Sequence, residues 1–217
     1  MPFFLQEDQS HFPDIELADA DGLLAIGGNL LPQTLLKAYK LGIFPWYNEG
    51  EPICWYSPDP RFVLFPEKLK ISSSMKKVLK SSEFTFSIDK DFSQVIKSCR
   101  LVKRKGEPGT WISDEIEHAY TSLFEKGYAH SAESWYHNEL AGGLYGVMIG
   151  KVFFGESMFT NQSNASKCAF IKYVQALQKN GIKLIDCQVY TPHLESLGAE
   201  FIPRKEFSRL IQQLNSE

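Results

Sequence analysis

The stretch KLIDCQVY, residues 183 to 190, places Asp186 and Gln188 two residues apart in a run that is otherwise mostly apolar. An extended chain alternates its side chains, so Leu184, Asp186, Gln188 and Tyr190 are expected on one face and Ile185, Cys187 and Val189 on the other. An acid and an amide sharing a strand face are either polar groups satisfied by neighbouring backbone or a pair that handles a polar group presented to that face. An amide carbonyl is far too weak a Brønsted base to store a proton; the chemistry open to it is to accept and orient a donor. A second acid, Glu156, sits in VFFGESMF. A carboxylate amid Phe and Met is costly unless it is paired or turned out to solvent.

Other chemistries find less support. The five histidines (His11, His118, His130, His137, His193) lack metal-ligand spacing, so no metal is expected. GLLAIGGNL carries glycines but no following Lys-Ser/Thr, which disfavours a phosphate loop. Four cysteines (Cys54, Cys99, Cys168, Cys187) are scattered without paired spacing, and the N-terminus lacks a basic region followed by an apolar run. A cytoplasmic protein with reduced thiols is expected. Apolar runs fall far short of the roughly 20 residues of a membrane span, so no membrane partner is expected. The net charge of -3 hides two basic stretches, EKLKISSSMKKVLK (67 to 80) and KSCRLVKRK (97 to 105). Each is either a solvated helix face or a patch for a polyanion.

These residues need elements to position them. Of the 217 residues, 43% are hydrophobic and 13% aromatic, as in a folded globular chain. Residues 1–60 are rich in Gly, Pro and aromatics and read as a small N-terminal domain, with a helix over 31–42 closed by Gly42. Residues 61–217 read as the larger domain. There the spacing predicts a helix over 113–127 capped by Ser113 and three strands over 129–137, 139–150 and 151–160 joined by tight turns. A helix over 164–181 opened by Asn164 follows, then the quoted strand, a short helix from Pro192, a strand over 199–202 and a final helix from 204. A three-strand antiparallel meander, a helix and another strand make an α+β fold with a mostly antiparallel sheet.

That arrangement resembles the N-acetyltransferase-like acyltransferase superfamily. Its members usually carry a Gly-rich strand-to-helix turn that holds the coenzyme A pyrophosphate. Here the turn reads FTNQSNASK, without glycine, which argues against coenzyme A. The resemblance then narrows. GLLAIGGNL, GIFPWY, WYSPDPR, GTWIS, AHSAE, GGLYGV, FGESMF, NASK and LIDCQV, in that order over nearly the whole chain, are similar to the leucyl/phenylalanyl-tRNA–protein transferase family.

The resemblance implies an aminoacyltransferase that moves Leu or Phe, and Met less well, from aminoacyl-tRNA to the α-amino group of proteins beginning with Arg or Lys, creating an N-terminal degradation signal. It implies no cofactor, since the donor ester is already activated, and the chain is expected to act as a monomer. Asp186 and Gln188 fall on the catalytic pair, whose glutamine the resemblance gives as a general base; by its chemistry Gln188 instead orients the attacking amine, polarised through its amide N–H by Asp186, which also attracts the cationic acceptor end, and the choice between base and orienting acceptor stays open. Trp46, Trp111 and Tyr173, ordinary core aromatics by themselves, fall on positions that hold the terminal adenosine. Phe153, Gly155, Met158 and Ile185 would line the cleft for the Leu or Phe side chain, and Glu156 would recognise the donor's free α-amino group. Lys76, Lys77 and Lys80 would meet tRNA phosphates from one helix face. Two other readings stay open: a coenzyme A-dependent N-acetyltransferase, and a tRNA-binding protein without catalysis.

Overall fold

The computed structural model describes residues 2–7, 11–81, 83–102 and 111–215. In chain order these form β1 (Phe3–Leu5), β2 (Leu23–Gly27), α1 (Pro32–Lys40), β3 (Phe44–Pro45), β4 (Cys54–Tyr56), β5 (Arg61–Leu64), α2 (Ser73–Lys80), β6 (Thr85–Ile88), α3 (Phe92–Leu101) and α4 (Asp114–Glu125). They continue with β7 (Ala129–Tyr136), β8 (Glu139–Ile149), β9 (Val152–Thr160), α5 (Ala165–Lys179), β10 (Leu184–Gln188), α6 (Pro192–Ser196), β11 (Glu200–Ile202) and α7 (Arg204–Leu214). The fold class is α+β.

Two sheets organise these elements. One has the order β1-β2-β4-β3, and the other β11-β5-β10-β9-β8-β7-β6. Every neighbouring pair of the larger sheet is antiparallel except β10 with β9. The meander β7-β8-β9 follows from local chemistry. His137 and Asn138 both take positive φ, as a two-residue hairpin turn of the right twist requires. Ser113 caps α4 by accepting from the Ile116 N–H at 3.2 Å. Asn164 precedes α5 in the left-handed conformation at φ 70° without a side-chain cap, so its role is to turn the chain into the helix.

Strand alternation divides the interior into two apolar clusters on either side of the large sheet. Phe154 and Leu184 join Tyr120, Phe207 and residues of the first sheet, while Phe153 and Ile185 join Phe170, Tyr173 and Val174 of α5. The first cluster runs without a break from Leu24, Leu35 and Tyr39 into the larger sheet, so the two sheets share a core. Gly42, at φ 78°, lets this happen: a Cβ there would stand 2.7 Å from the Phe207 ring.

Candidate active site

The candidate site forms where the parallel pair β9 and β10 ceases to be paired. Their register ends at Phe154 with Asp186. The residues that follow on both strands, Gly155 to Met158 and Cys187 to Tyr190, line a cleft of about 500 Å³. Leu144, Phe170, Trp46 and Trp111 complete much of its wall.

Two bulges set the polar groups of this cleft. Across β8 and β9, Tyr145 faces Ser157 while Gly146 faces Gly155, leaving Glu156 as the extra residue. The bulge needs a glycine opposite it, because a Cβ on Gly146 would lie 2.1 Å from the Phe154 carbonyl oxygen. Across β5 and β10, Val63 faces Asp186 and Phe62 faces Gln188, leaving Cys187 as the extra residue. At Gln188 the backbone has φ 62°, in the left-handed region that costs a residue with a Cβ about 1–2 kcal/mol. Simple alternation therefore holds from Leu184 to Asp186 and fails beyond, where the register against β5 shifts at Cys187.

The partners of Asp186 and Gln188 differ from the expected ones. Asp186 is fully buried and receives a bidentate pair from Arg61, Nε to Oδ1 at 2.8 Å and Nη2 to Oδ2 at 2.7 Å. Its charge is neutralised within the protein, so it does not draw in an acceptor's cation. Its Oδ1 also accepts the Gln188 backbone N–H at 2.9 Å. The Gln188 side chain does not donate to Asp186. Its Nε2 donates to Glu156 Oε1 at 2.7 Å, and Oε1 of Gln188 makes no hydrogen bond among the described residues.

Glu156 is the hub of the site. Tyr39 Oη donates to its Oε1 at 2.8 Å and Tyr120 Oη to its Oε2 at 3.0 Å, and the two hydroxyls also contact each other. Burial pushes its carboxyl up to about 7, and nearby Asp186 adds to the rise; the tyrosine and Gln188 donors pull against it. Both tyrosine hydroxyls are driven well above their ordinary value by burial and the adjacent carboxylate, so they remain donors.

Of the other sequence-predicted residues, Trp46, Trp111, Gly155, Met158 and Ile185 are brought together in the cleft wall. Phe153 and Tyr173 are not. They meet edge to face at 5.0 Å between centroids in the buried layer behind the wall, so the Tyr173 ring has no open face for stacking. Lys76, Lys77 and Lys80 are exposed on α2, whose Met75 is buried against the α5 side. In the second basic stretch, Lys103, Arg104 and Lys105 lie outside the described residues, and Arg100 is held by Asp114 and Glu117 of α4. Tyr39, Tyr120 and Arg61 are neighbours of the candidate site that the sequence reading missed. Arg61 alone carried a signal, as the terminal residue of WYSPDPR.

Among the described residues no cluster of three or more His, Cys, Asp or Glu is placed to hold a metal, and no helix is long and apolar enough to cross a membrane.

A mixed sheet whose parallel pair parts over a carboxylate and an amide brings to one cleft groups that can accept hydrogen bonds from an amine, a contact of the kind an acyl transfer onto nitrogen uses. The profile of the family described as leucyl/phenylalanyl-tRNA protein transferase matches residues 63–212, and that of its N-terminal domain matches residues 28–59. A leucyl/phenylalanyl-tRNA–protein transferase from Christiangramia forsetii is 54% identical over 205 residues, 94% of this chain and 97% of the relative. One from Desulfatibacillum aliphaticivorans is 51% identical over 213 residues, 98% and 91%. The chain belongs to the leucyl/phenylalanyl-tRNA–protein transferase family and is an aminoacyltransferase. Among solved structures, a GCN5-related N-acetyltransferase-like protein from Streptococcus suis is similar at a TM-score of 0.39 and 11% identity, covering 76% of this chain and 61% of that one.

Proposed function

We propose that this aminoacyltransferase moves Leu or Phe, and Met less well, from the 3′ end of aminoacyl-tRNA to the α-amino group of cytoplasmic proteins beginning with Arg or Lys, and so marks them for degradation. The observation that carries the reading is the coupled pair at the cleft: Gln188 gives its N–H to Glu156 and keeps a carbonyl oxygen with no partner among the described residues.

Peptide-bond formation on an ester asks for little beyond placement. The attacking amine, with a free pKa near 7.7 to 8.0, must be neutral and aimed at the carbonyl carbon. As the C–N bond forms, the C–O bond to the ribose breaks, and the amine proton ends on the departing ribose oxygen. Gln188 Oε1 accepts from the attacking amine and fixes its direction. Glu156, with Tyr39 and Tyr120 behind it, binds the donor's own α-amino group. The donor side chain lies against Leu144, Met158, Phe170 and Ile185, where an adaptable Met accommodates both a branched aliphatic and an aromatic group. Trp46, 44% exposed, and Trp111 offer faces for the terminal adenosine. Phe153 supports this wall from behind.

Radiolabelled Leu-tRNA incubated with a peptide beginning with Arg tests the reading. Label is expected in the peptide, and none in a peptide whose N-terminus is acetylated. Absence of label in both peptides, with tRNA bound, would leave a tRNA-binding protein.

A further inference from the structure

Gln188 is held in a conformation its own residue type disfavours, so something outside it must impose that conformation. The hydrogen bonds identify the chain of causes. The Asp186 Oδ1 that receives the Gln188 N–H is the same atom that receives Arg61 Nε. The Arg61 guanidinium is itself immobilised, lying between the Phe44 ring at 4.8 Å and the Phe207 ring at 4.6 Å. Arg61 is 1% exposed, and its Nη1 has no hydrogen-bond partner among the described residues, so aromatic faces rather than further acceptors hold it. Phe207 belongs to α7, which is anchored to the segment before Arg61 by Arg204 Nη1 to the Ser57 carbonyl at 2.8 Å and Arg204 N to Asp59 Oδ1 at 2.9 Å. A planar fork clamped on two sides gives the carboxylate one orientation, and that orientation presents Oδ1 to the bulge.

We propose that Arg61 is the positioning residue of this site, holding the Asp186 carboxylate so that it fixes the Gln188 backbone and aims the Gln188 amide at Glu156. Asp186 then contributes an oriented oxygen rather than a proton-transfer group or a charge for substrate. The kinetic half of the test below rests on the transfer reading above; the exchange half does not.

Hydrogen exchange at the Gln188 amide, followed in the protein alone, is expected to be slow in the wild type. It should be at least about tenfold faster in Asp186→Ala, which removes the accepting oxygen, and in Arg61→Met/Asp186→Asn, which keeps a side-chain oxygen at position 186 but removes the fork that orients it. In Leu transfer, kcat is expected to fall on the order of 10²-fold in Asp186→Ala and at least about tenfold in the double variant. The KM for aminoacyl-tRNA should remain within about threefold throughout, because Trp46, Trp111, Met158 and Ile185 are untouched. An Asp186→Ala amide protected as in the wild type overturns the proposal. So does a folded double variant whose amide is protected and whose kcat stands as in the wild type, since the oxygen at position 186 would then hold its orientation without Arg61. Should the double variant fail to fold, Arg61→Lys decides: it keeps the charge but cannot make the fork, and an unchanged kcat overturns the assignment, whereas a fall of about tenfold at constant KM supports it. If the wild type transfers nothing, the transfer reading fails, and the exchange comparison still decides the positioning.

Discussion

Gln188 and Glu156, 32 residues apart in sequence, are joined side chain to side chain across β10 and β9 by one hydrogen bond of 2.7 Å. The bond fixes which way round the amide lies. With Nε2 committed to a carboxylate, the carbonyl oxygen is the end left for a substrate amine, a placement that Asp186, engaged by Arg61, cannot supply.

Replacing Gln188 by Ala should lower kcat for Leu transfer by roughly 10²–10⁴-fold, the span typical of a positioned proton-handling group, while the affinity for an aminoacyl-adenosine mimic changes little. Single-turnover transfer together with equilibrium binding of the mimic checks this. A variant that transfers as fast as the wild type returns Gln188 to a structural part.

The raised Glu156 carboxyl makes a stability prediction whose sign is set by the direction of the shift. Its value in the fold, about 7, lies above the ordinary 4.5, so the native state binds this proton more tightly than the unfolded chain does. The favourable contribution is complete below about pH 4.5 and is lost as pH rises through about 7. Glu156→Gln, which stays neutral, should therefore gain stability relative to the wild type as pH is raised across that window. Chemical denaturation at a series of pH values reads the difference; a constant offset between the two proteins contradicts the assignment.

The apolar part of the cleft sets donor choice by small increments. One methylene in such a pocket is worth about 1–3 kcal/mol, so Met-tRNA should be a poorer but detectable donor and Val-tRNA poorer still. Met158→Ala should compress these differences by enlarging the cavity. Ratios of kcat/KM among charged tRNAs measure it, and equal use of all donors by the wild type rules out the proposed wall.

A chain with an overall pI near 6.0 must hold a polyanion through local charge. Lys76, Lys77 and Lys80 are exposed and have no ion-pair partner among the described residues, unlike Lys68, which meets Glu200, and Arg100, which meets Asp114. Reversing all three to Glu should raise the KM for aminoacyl-tRNA and flatten the log–log salt slope by about 2–3, at roughly 0.7–0.9 per phosphate. The small aminoacyl-adenosine mimic should bind as before. Unaltered tRNA use at physiological salt reduces the patch to a solvated helix face.

Periodicity and turn chemistry, both local, were enough by themselves to determine the meander β7-β8-β9 and the helices α4, α5 and α7, because the Ser113 cap, the His137-Asn138 turn and the alternating apolar residues act over a few positions. The residue types of the site were legible too, in DCQ, GES and FPW. The partners were not. Which face Gln188 presents depends on a bulge against β5, and bulges arise from pairing with distant strands rather than from the strand's own sequence. Arg61 reaches Asp186 across 125 positions, and Tyr39 reaches Glu156 across 117, so composition around either residue carries no trace of the other. Tyr173 went the opposite way. The resemblance set its ring against the terminal adenosine, and packing of α5 against the sheet buried it behind Phe153, since burial is decided by what lies across the layer.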